Sequence, residues 1–261
     1  MLHEWVSTRA LSVSYVSSQV AGLPSLTVRE LVSLGRMPHT GWLGRLGKRD
    51  MEMVEHTILE LGLGPYMERK LDQLSDGEKQ RVMIARALVQ DTPNMVLDEP
   101  AAYLDIPNKY ELIRLLSLFR DRGKTIVYST HDLETALLCA DKFWVITDGF
   151  IREGSPEDLG LEGLFQQLFD GTGITFDMES GRFIHSIDSR GSVALSGASR
   201  EAVAWTRHLL RRIGFTVSAG DQPIGIMVQS GDKHYWEIVR EGKVTKADSL
   251  YDMARFLIQK R

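Results

Sequence analysis

Hydrophobic positions along the first 160 residues follow two repeating patterns. Short apolar runs favour buried parallel strands because they are too short for helices, and they occur at residues 11–16, 95–97 and 125–128. Apolar residues at helical spacing predict helices, and they occupy residues 28–34, 53–61, 82–89, 110–119 and 133–140. The order of these elements predicts an α/β core of parallel strands, with a group of helices inserted after the first strand.

Turn-forming residues mark where several of these elements begin or end. Pro107 suits the first turn of a helix that ends near Gly123. Asp148 and Gly149 predict a hairpin turn after a strand at residues 143–147. A short amphipathic helix at residues 161–169 is expected to close this part of the chain.

The pattern changes after residue 172, where shorter strands and two amphipathic helices predict a small α+β domain. The expected strands lie at residues 174–177, 182–187, 193–195, 215–217, 224–228 and 235–239, and the helices at residues 202–213 and 250–258. His185, His208 and His234 lack the spacing of metal ligands, so ordinary surface or capping histidines are the simpler interpretation.

Composition restricts the class of protein. With 261 residues, 43% hydrophobic and 25% charged, the chain can form one large or two modest globular domains. A formal charge of −4 does not favour a nucleic-acid binder. The single cysteine, Cys139, excludes an internal disulfide and suits the cytosol. Because no apolar run reaches the length of a membrane span, we expect any membrane attachment to go through a partner.

Two carboxylates follow the apolar run at residues 95–97. Asp98 and Glu99 should point to opposite sides of the extended chain. One carboxylate can hold Mg²⁺ while its neighbour polarises an attacking water, and hydrolysis of a phosphoanhydride needs both tasks. A charged turn after a strand is the alternative, and this pair alone does not decide between them.

A second polar cluster, residues 74–80, precedes the helix at residues 82–89. Ser75 and Glu78 have the spacing of a capping box. Gly77 permits close approach of the backbone, and the free N–H groups of a first helical turn form an anion site. Both interpretations can hold together.

His131 belongs to a third cluster, after the apolar run at residues 125–128. It should lie at the carboxyl end of a parallel strand, where open α/β sheets place their ligands. A lone histidine there is more often a surface or capping residue, but its order after the other two clusters favours a functional role.

Together these clusters resemble the motifs of the ATP-binding subunits of ABC transporters. Residues 74–80 resemble the signature motif, residues 95–99 the Walker B motif, residues 101–105 the D-loop, and His131 the switch histidine. Gln19 resembles the glutamine of the Q-loop.

A finer resemblance concerns residues 27–39, which are similar to the subfamily that powers uptake of iron-siderophore complexes, haem and cobalamin. Asp76 departs from the family pattern, which usually has a glycine there, whereas Gly77 is kept.

The resemblance implies a partial P-loop NTPase core with a helical subdomain, ATP and Mg²⁺ as cofactors, and a dimer of ATP-binding subunits. It implies a cytoplasmic position at the inner face of the cell membrane, with the helical subdomain contacting membrane permease subunits. It assigns water polarisation to Glu99, γ-phosphate contact to His131, and Mg²⁺ to Asp98 and Gln19. The nucleotide-binding positions that it implies are Gln19, Ser75, Gly77, Glu78, Gln80, Asp98 and Asp105.

No P-loop string, G-x-x-x-x-G-K-[ST], occurs in the 261 residues. The nearest match, residues 41–49, lacks the Ser/Thr, and we interpret it as a flexible surface loop. We therefore expect a chain that starts at an internal methionine or is truncated, and that is inactive alone, because the P-loop holds the β and γ phosphates. Loss of the preceding strands should also expose an apolar sheet face.

The expected domains are an ATPase domain at residues 1–172 and a C-terminal accessory domain at residues 173–261. The first would comprise a helical subdomain at about residues 24–90 and a catalytic core at about residues 91–172. Two functions stay open: an ATPase subunit of an importer, or a non-catalytic partner that completes the ATP site of another subunit. In-frame P-loop codons upstream of Met1 would decide between them.

Overall fold

The computed structural model describes residues 9–17, 25–41, 44–102, 104–147, 149–177, 181–185, 189–220, 222–231 and 233–259. The chain divides into two compact units, Met1–Pro156 and Glu157–Arg261. Gln19 and Asp148 lie outside the described residues. Within the described residues, no helix combines the length and the apolar character needed to cross a membrane.

The first unit contains the strands and helices that the sequence predicts for it. They are β1 (Val13–Val16), α1 (Val28–Leu34), α2 (Lys48–Glu60), α3 (Asp76–Val89), β2 (Asn94–Leu97), α4 (Ile106–Asp121), β3 (Thr125–Tyr128), α5 (Leu133–Cys139), β4 (Phe143–Thr147) and β5 (Phe150–Gly154). The start of α2 differs from the sequence prediction. Lys48 and Arg49, expected in a loop, form the first turn of α2 because Gly47 and Asp50 cap that helix.

Strands β1, β2 and β3 form a parallel sheet in the order β1-β2-β3. One face of this sheet is buried against the helices through Val16, Met95 and Leu97. The side chains of Val13 and Tyr15 on the other face of β1 are exposed. Strands β4 and β5 pair separately as an antiparallel hairpin.

Helices α1, α2 and α3 pack together through one buried arginine. Arg36 follows α1, forms an ion pair with Asp50 of α2 at 2.9 Å, and donates a hydrogen bond to the carbonyl of Val89 in α3 at 2.8 Å. Gly35 permits this close packing, since a Cβ there would lie 2.1 Å from the carbonyl oxygen of Arg86. The polar links therefore fix the helical group as one body.

The second unit contains four helices and seven strands among the described residues. They are α6 (Pro156–Leu161), α7 (Leu164–Leu168), β6 (Ile174–Asp177), β7 (Arg182–His185), β8 (Gly191–Gly197), α8 (Arg200–Arg212), β9 (Phe215–Val217), β10 (Ile224–Ser230), β11 (His234–Arg240), β12 (Lys243–Ala247) and α9 (Leu250–Gln259). Five of these strands form a mixed sheet in the order β12-β11-β10-β8-β9. The core joins this sheet to α8 and α9 through Ile226, Ile238, Leu210 and Met253.

Two features of this unit differ from the sequence prediction. The helix expected at residues 161–169 is shorter, α7 (Leu164–Leu168), because Gly163 takes a left-handed conformation just before it, and the preceding helix α6 (Pro156–Leu161) was not predicted. The ring of Phe165 in α7 packs at a tilt against Phe176 of β6, with a centroid distance of 4.9 Å, so α7 packs with the β6–β7 hairpin. Strand β12 was not predicted, because it has few apolar positions.

Candidate functional site

The carboxyl ends of β2 and β3 lie side by side, with Leu97 paired to Tyr128. The residues that follow them meet through a serine: Ser129 Oγ donates to Asp98 Oδ1 at 2.7 Å and accepts from the N–H of Glu99 at 2.9 Å. A hydroxyl can donate and accept at once, so Ser129 holds both acidic residues in place. Sequence reasoning included Ser129 in the third cluster but gave it no role.

Glu99 has a left-handed backbone with φ of 42°, which is strained for a residue other than glycine. A turn follows, closed by a hydrogen bond from the N–H of Ala102 to the carbonyl of Glu99 at 3.0 Å. The Glu99 side chain lies at hydrogen-bonding distance from the switch-histidine candidate, with 3.2 Å between Glu99 Oε2 and His131 Nδ1. These side chains are 41% and 78% exposed, so a ligand can reach both.

Asp132, next to His131, anchors the segment that carries the histidine. Its carboxylate caps α5 by accepting hydrogen bonds from the N–H and hydroxyl of Thr135, and it forms an ion pair with Lys109 of α4 at 2.5 Å. Burial opposes ionisation of Asp132, but the hydrogen bonds from Lys109 and Thr135 outweigh it and lower its pKa to about 2. Asp132 is therefore ionised near neutral pH.

The second cluster lies at the start of α3, where the predicted capping box is confirmed. Ser75 Oγ accepts from the N–H of Glu78 at 3.3 Å, and the N–H of Ser75 donates to Glu78 Oε2 at 2.7 Å. Hydrogen bonds from Ser75 and Tyr66 lower the pKa of Glu78, which keeps its carboxylate ionised. Asp76 is exposed and pairs with Lys79 at 3.2 Å, which explains how an acidic residue is accommodated there.

Gln80 faces inward. Gln80 is only 8% exposed, and its side-chain amide nitrogen has no hydrogen-bond partner among the described residues. Gln19 falls outside that part, so its predicted proximity to Asp98 stays a prediction.

Asp105 and Gly77 meet through a residue that sequence reasoning missed. Asp105 caps α4, and its Oδ1 accepts from the backbone N–H and the side-chain Nδ2 of Asn108 at 3.0 and 2.7 Å. The same asparagine accepts from Arg81 of α3 at 3.3 Å and lies against Gly77, where a Cβ would approach its Cγ to 2.9 Å. The spacing of Asp105 and Asn108 at a helix start was the available signal.

The donors at the strand ends suit a magnesium ion that is held mainly by a substrate. Within the described residues there is no group of three or more His, Cys, Asp or Glu side chains able to enclose a metal. Mg²⁺ is commonly held by one or two carboxylates together with substrate phosphates, and Asp98 and Glu99 offer carboxylates of this kind. Their oxygen chemistry fits the ion.

Two family models match the chain. Residues 2–102 match a model described as "ABC transporter", and residues 190–258 match "Iron ABC transporter C-terminal domain". The first match lies within the unit Met1–Pro156, and the second lies within the unit Glu157–Arg261.

Several named proteins are similar to the chain. The petrobactin import ATP-binding protein FpuC of Bacillus anthracis is 36% identical over 184 residues, which cover 67% of this chain and 66% of FpuC. The iron(3+)-hydroxamate import ATP-binding protein FhuC of Bacillus subtilis is 36% identical, with 61% and 62% covered. The manganese transport system ATP-binding protein MntB of Halalkalibacterium halodurans is 32% identical, with 63% and 69% covered. The chain thus spans between 62% and 69% of the length of these relatives.

Solved structures show the same fold. The ATP-binding cassette MJ0796, solved as a dimer bound to ADP and Pi, has a TM-score of 0.51 and 28% identity, covering 59% of this chain and 67% of the cassette. The protein cbiO1 from Clostridium perfringens, part of the ABC transporter complex cbiONQ, has a TM-score of 0.53 and 27% identity, with 63% and 65% covered. The predicted fold class, a P-loop ATPase core with a C-terminal α+β domain, is confirmed.

Proposed function

The chain belongs to the ATP-binding proteins of ABC transporters, and we propose that it works as an ATP-hydrolysing subunit of an importer. The descriptions of FpuC and FhuC, together with the iron-related C-terminal match, favour an iron-siderophore complex as cargo over haem or cobalamin. The observation that carries the proposal is the contact of Glu99 with His131 beside Asp98, at the carboxyl ends of two parallel strands.

In this proposal Asp98, Glu99 and His131 have separate roles in ATP hydrolysis. Glu99 would accept a proton from the attacking water, His131 would contact the γ-phosphate, and Asp98 would hold Mg²⁺ with help from Gln19. The ion, when bound, would neutralise phosphate charge. Ser129 supports these assignments, because its hydroxyl is hydrogen-bonded to both Asp98 and the Glu99 backbone and so fixes their relative positions.

The start of α3 would contact a nucleotide held by a second subunit. Its first-turn N–H groups can bind phosphate oxygens, with Ser75, Gly77 and Gln80 around them and Glu78 fixing the turn. The 261 residues contain no P-loop string, so we propose that a P-loop outside these residues supplies the cradle. Asp105 would lie near that interface.

The proposed partners are a second ATP-binding subunit and membrane permease subunits. The helical group of α1, α2 and α3 would contact the permeases, which places the chain at the cytoplasmic face of the membrane. The bonds of Arg36 to α2 and α3 support this role, because a contact that transmits force needs a rigid body. The alternative of a non-catalytic partner gains no support from relatives described as ATP-binding import or transport proteins.

The proposal can be tested by purifying the assembly from its native membranes through an affinity tag on this chain. We expect a membrane protein to co-purify and the assembly to release phosphate from ATP, faster when a ferric siderophore is supplied. His131→Ala should abolish this release without dissociating the assembly. Absence of a membrane partner, or full hydrolysis by the His131 variant, would contradict the proposal.

A further inference from the structure

The first turn of α4 contacts both polar clusters of the candidate site. Asn108 lies against α3 at Gly77 and Arg81, and the next residue, Lys109, reaches Asp132 beside His131. These contacts all lie within the unit Met1–Pro156. Neither Asn108 nor Lys109 belongs to the motifs from which the function was inferred.

Asn108 uses both ends of its amide group. Its nitrogen donates to Asp105 at 2.7 Å, while its oxygen accepts from Arg81 at 3.3 Å. An amide is suited to this position because it donates and accepts in one plane. A Cβ at Gly77 would lie 2.9 Å from Cγ of the same amide, so there is no room for a side chain there and a closer approach of the first turn of α3 to α4 would displace Asn108.

Lys109 links the same turn of α4 to the segment that carries His131. Its ammonium group and the Asp132 carboxylate are 2.5 Å apart, and each side chain is only about one quarter exposed, at 26% and 27%. The backbone N–H of Asp132 also donates to Thr130 Oγ1 at 3.0 Å. His131 thus lies between Thr130 and Asp132, which are hydrogen-bonded to each other. Asp132 is also paired with Lys109 of α4.

We propose that Asn108 and Lys109 are positioning residues that couple the start of α3 to the Glu99–His131 pair. A displacement of α3 by a nucleotide moves Asn108, and the short first turn of α4 carries that movement through Lys109 to His131. The expected change in kcat rests on the proposed function. The coupling between the start of α3 and His131 rests on the contacts alone. A simple capping role would stabilise α4 without linking the two clusters.

The link can be tested on the purified chain by NMR of ¹³C-labelled histidine, with the His131 signal assigned through His131→Gln. Asn108→Leu removes both hydrogen bonds of the amide at similar volume and does not touch the histidine, yet it should shift the His131 ring resonance. Lys109→Met should shift the same resonance, and Lys109→Arg should restore it. Arg114→Met is the control, since it breaks an exposed pair with Glu111 on the same helix and should leave His131 unchanged. An unshifted His131 signal in Asn108→Leu would overturn the proposal.

Kinetics of the assembled transporter give the second test. Each single variant should lower kcat by about tenfold with little change in KM for ATP, on the scale expected for residues that carry coupling between sites. The double variant Asn108→Leu with Lys109→Met should be no slower than the slower single variant, because both break one link. If the fold-loss in kcat of the double variant equals the product of the two single losses, Asn108 and Lys109 have independent structural roles and the proposal is overturned. If the wild-type assembly hydrolyses no ATP, the proposed function fails, and the NMR result alone decides the link.

Discussion

The two compact units of this chain use their polar side chains differently. In Met1–Pro156, polar contacts join separate elements near the strand ends, as Ser129 joins Asp98 and Lys109 joins Asp132. In Glu157–Arg261, the indole nitrogen of Trp236 donates to Thr206 Oγ1 at 2.7 Å inside the core. The first kind of contact reaches solvent-accessible groups that can act on a ligand, and the second specifies how a core is packed.

The residues at the strand ends account for this difference. The strands β1, β2 and β3 are all parallel, so their carboxyl ends meet at one edge and bring Asp98, Glu99 and His131 together. In the second unit β8, β9 and β10 are also parallel to one another, whereas β11 and β12 run antiparallel to their neighbours. The residues that directly follow its parallel strands, Ala198, Ser218 and Gly231, carry no ionisable side chain, so a convergent site is expected in the first unit.

The largest expected effect comes from Glu99→Gln in the assembled transporter. Removing the carboxylate that we propose as acceptor of the water proton should slow hydrolysis by at least about a hundredfold and leave ATP binding intact, because a positioned general base contributes on that scale. Phosphate release and equilibrium nucleotide binding measure the two effects. Glu134→Gln, on an exposed carboxylate of α5, is the matched control and should keep the wild-type rate. Equal turnover in Glu99→Gln and wild type would remove Glu99 from the mechanism.

The local part of this site could be predicted from sequence. The capping box of Ser75 and Glu78 depends on residues three apart, and the strand ends before Asp98 and Ser129 follow from short apolar runs. The contact of Asn108 with Gly77 could not be predicted, because it depends on how α3 and α4 approach each other.

Misses in the second unit have a similar physical cause. Strand β12 (Lys243–Ala247) has only Val244 and Ala247 as apolar residues, so its pattern does not show the alternation of a half-buried strand. Its signal lay in the turn, where Glu241 and Gly242 both have positive φ, as in a two-residue hairpin loop. The packing of Phe165 against Phe176 is also a tertiary contact that periodicity does not reveal.

A second prediction concerns stability of the helical group. Arg36→Met leaves the carboxylate of Asp50 and the carbonyl of Val89 without their buried partner, so it should lower the free energy of unfolding by about 2 to 4 kcal/mol. Urea denaturation followed by circular dichroism measures this change. Arg120→Met breaks exposed pairs with Asp121 and Asp141 and should change stability by less than about 1 kcal/mol. Similar losses in both variants would refute the structural role given to Arg36.

The polar pair in the core of the second unit should have a smaller effect. Trp236→Phe removes the N–H that donates to Thr206 Oγ1 and should destabilise the unit by about 1 to 2 kcal/mol. Hydrogen exchange of the β10 and β11 amides should quicken, while hydrolysis by the assembled transporter stays at its wild-type rate. Trp205→Phe is the control, because Trp205 is exposed on the neighbouring helix α8. Loss of hydrolysis in Trp236→Phe would show that the core contact of the second unit affects catalysis as well as stability, which would contradict the comparison.

The smallest expected effect is the pH dependence that Asp132 gives to the first unit. Its pKa falls from the ordinary value of 3.8 to about 2, since the hydrogen bonds from Lys109 and Thr135 outweigh burial. A folded-state pKa below the unfolded value stabilises the protein above about pH 4, and the contribution disappears as the pH falls through about 2. Asp132→Asn keeps an oxygen that can cap α5 but removes the charge. The difference in unfolding free energy between wild type and this variant should therefore shrink by about 1 kcal/mol between pH 5 and about 3, on the scale of a single shifted carboxyl group. Urea titrations at several pH values measure it, and a difference that stays constant with pH would show that Lys109 holds Asp132 no more tightly than water does.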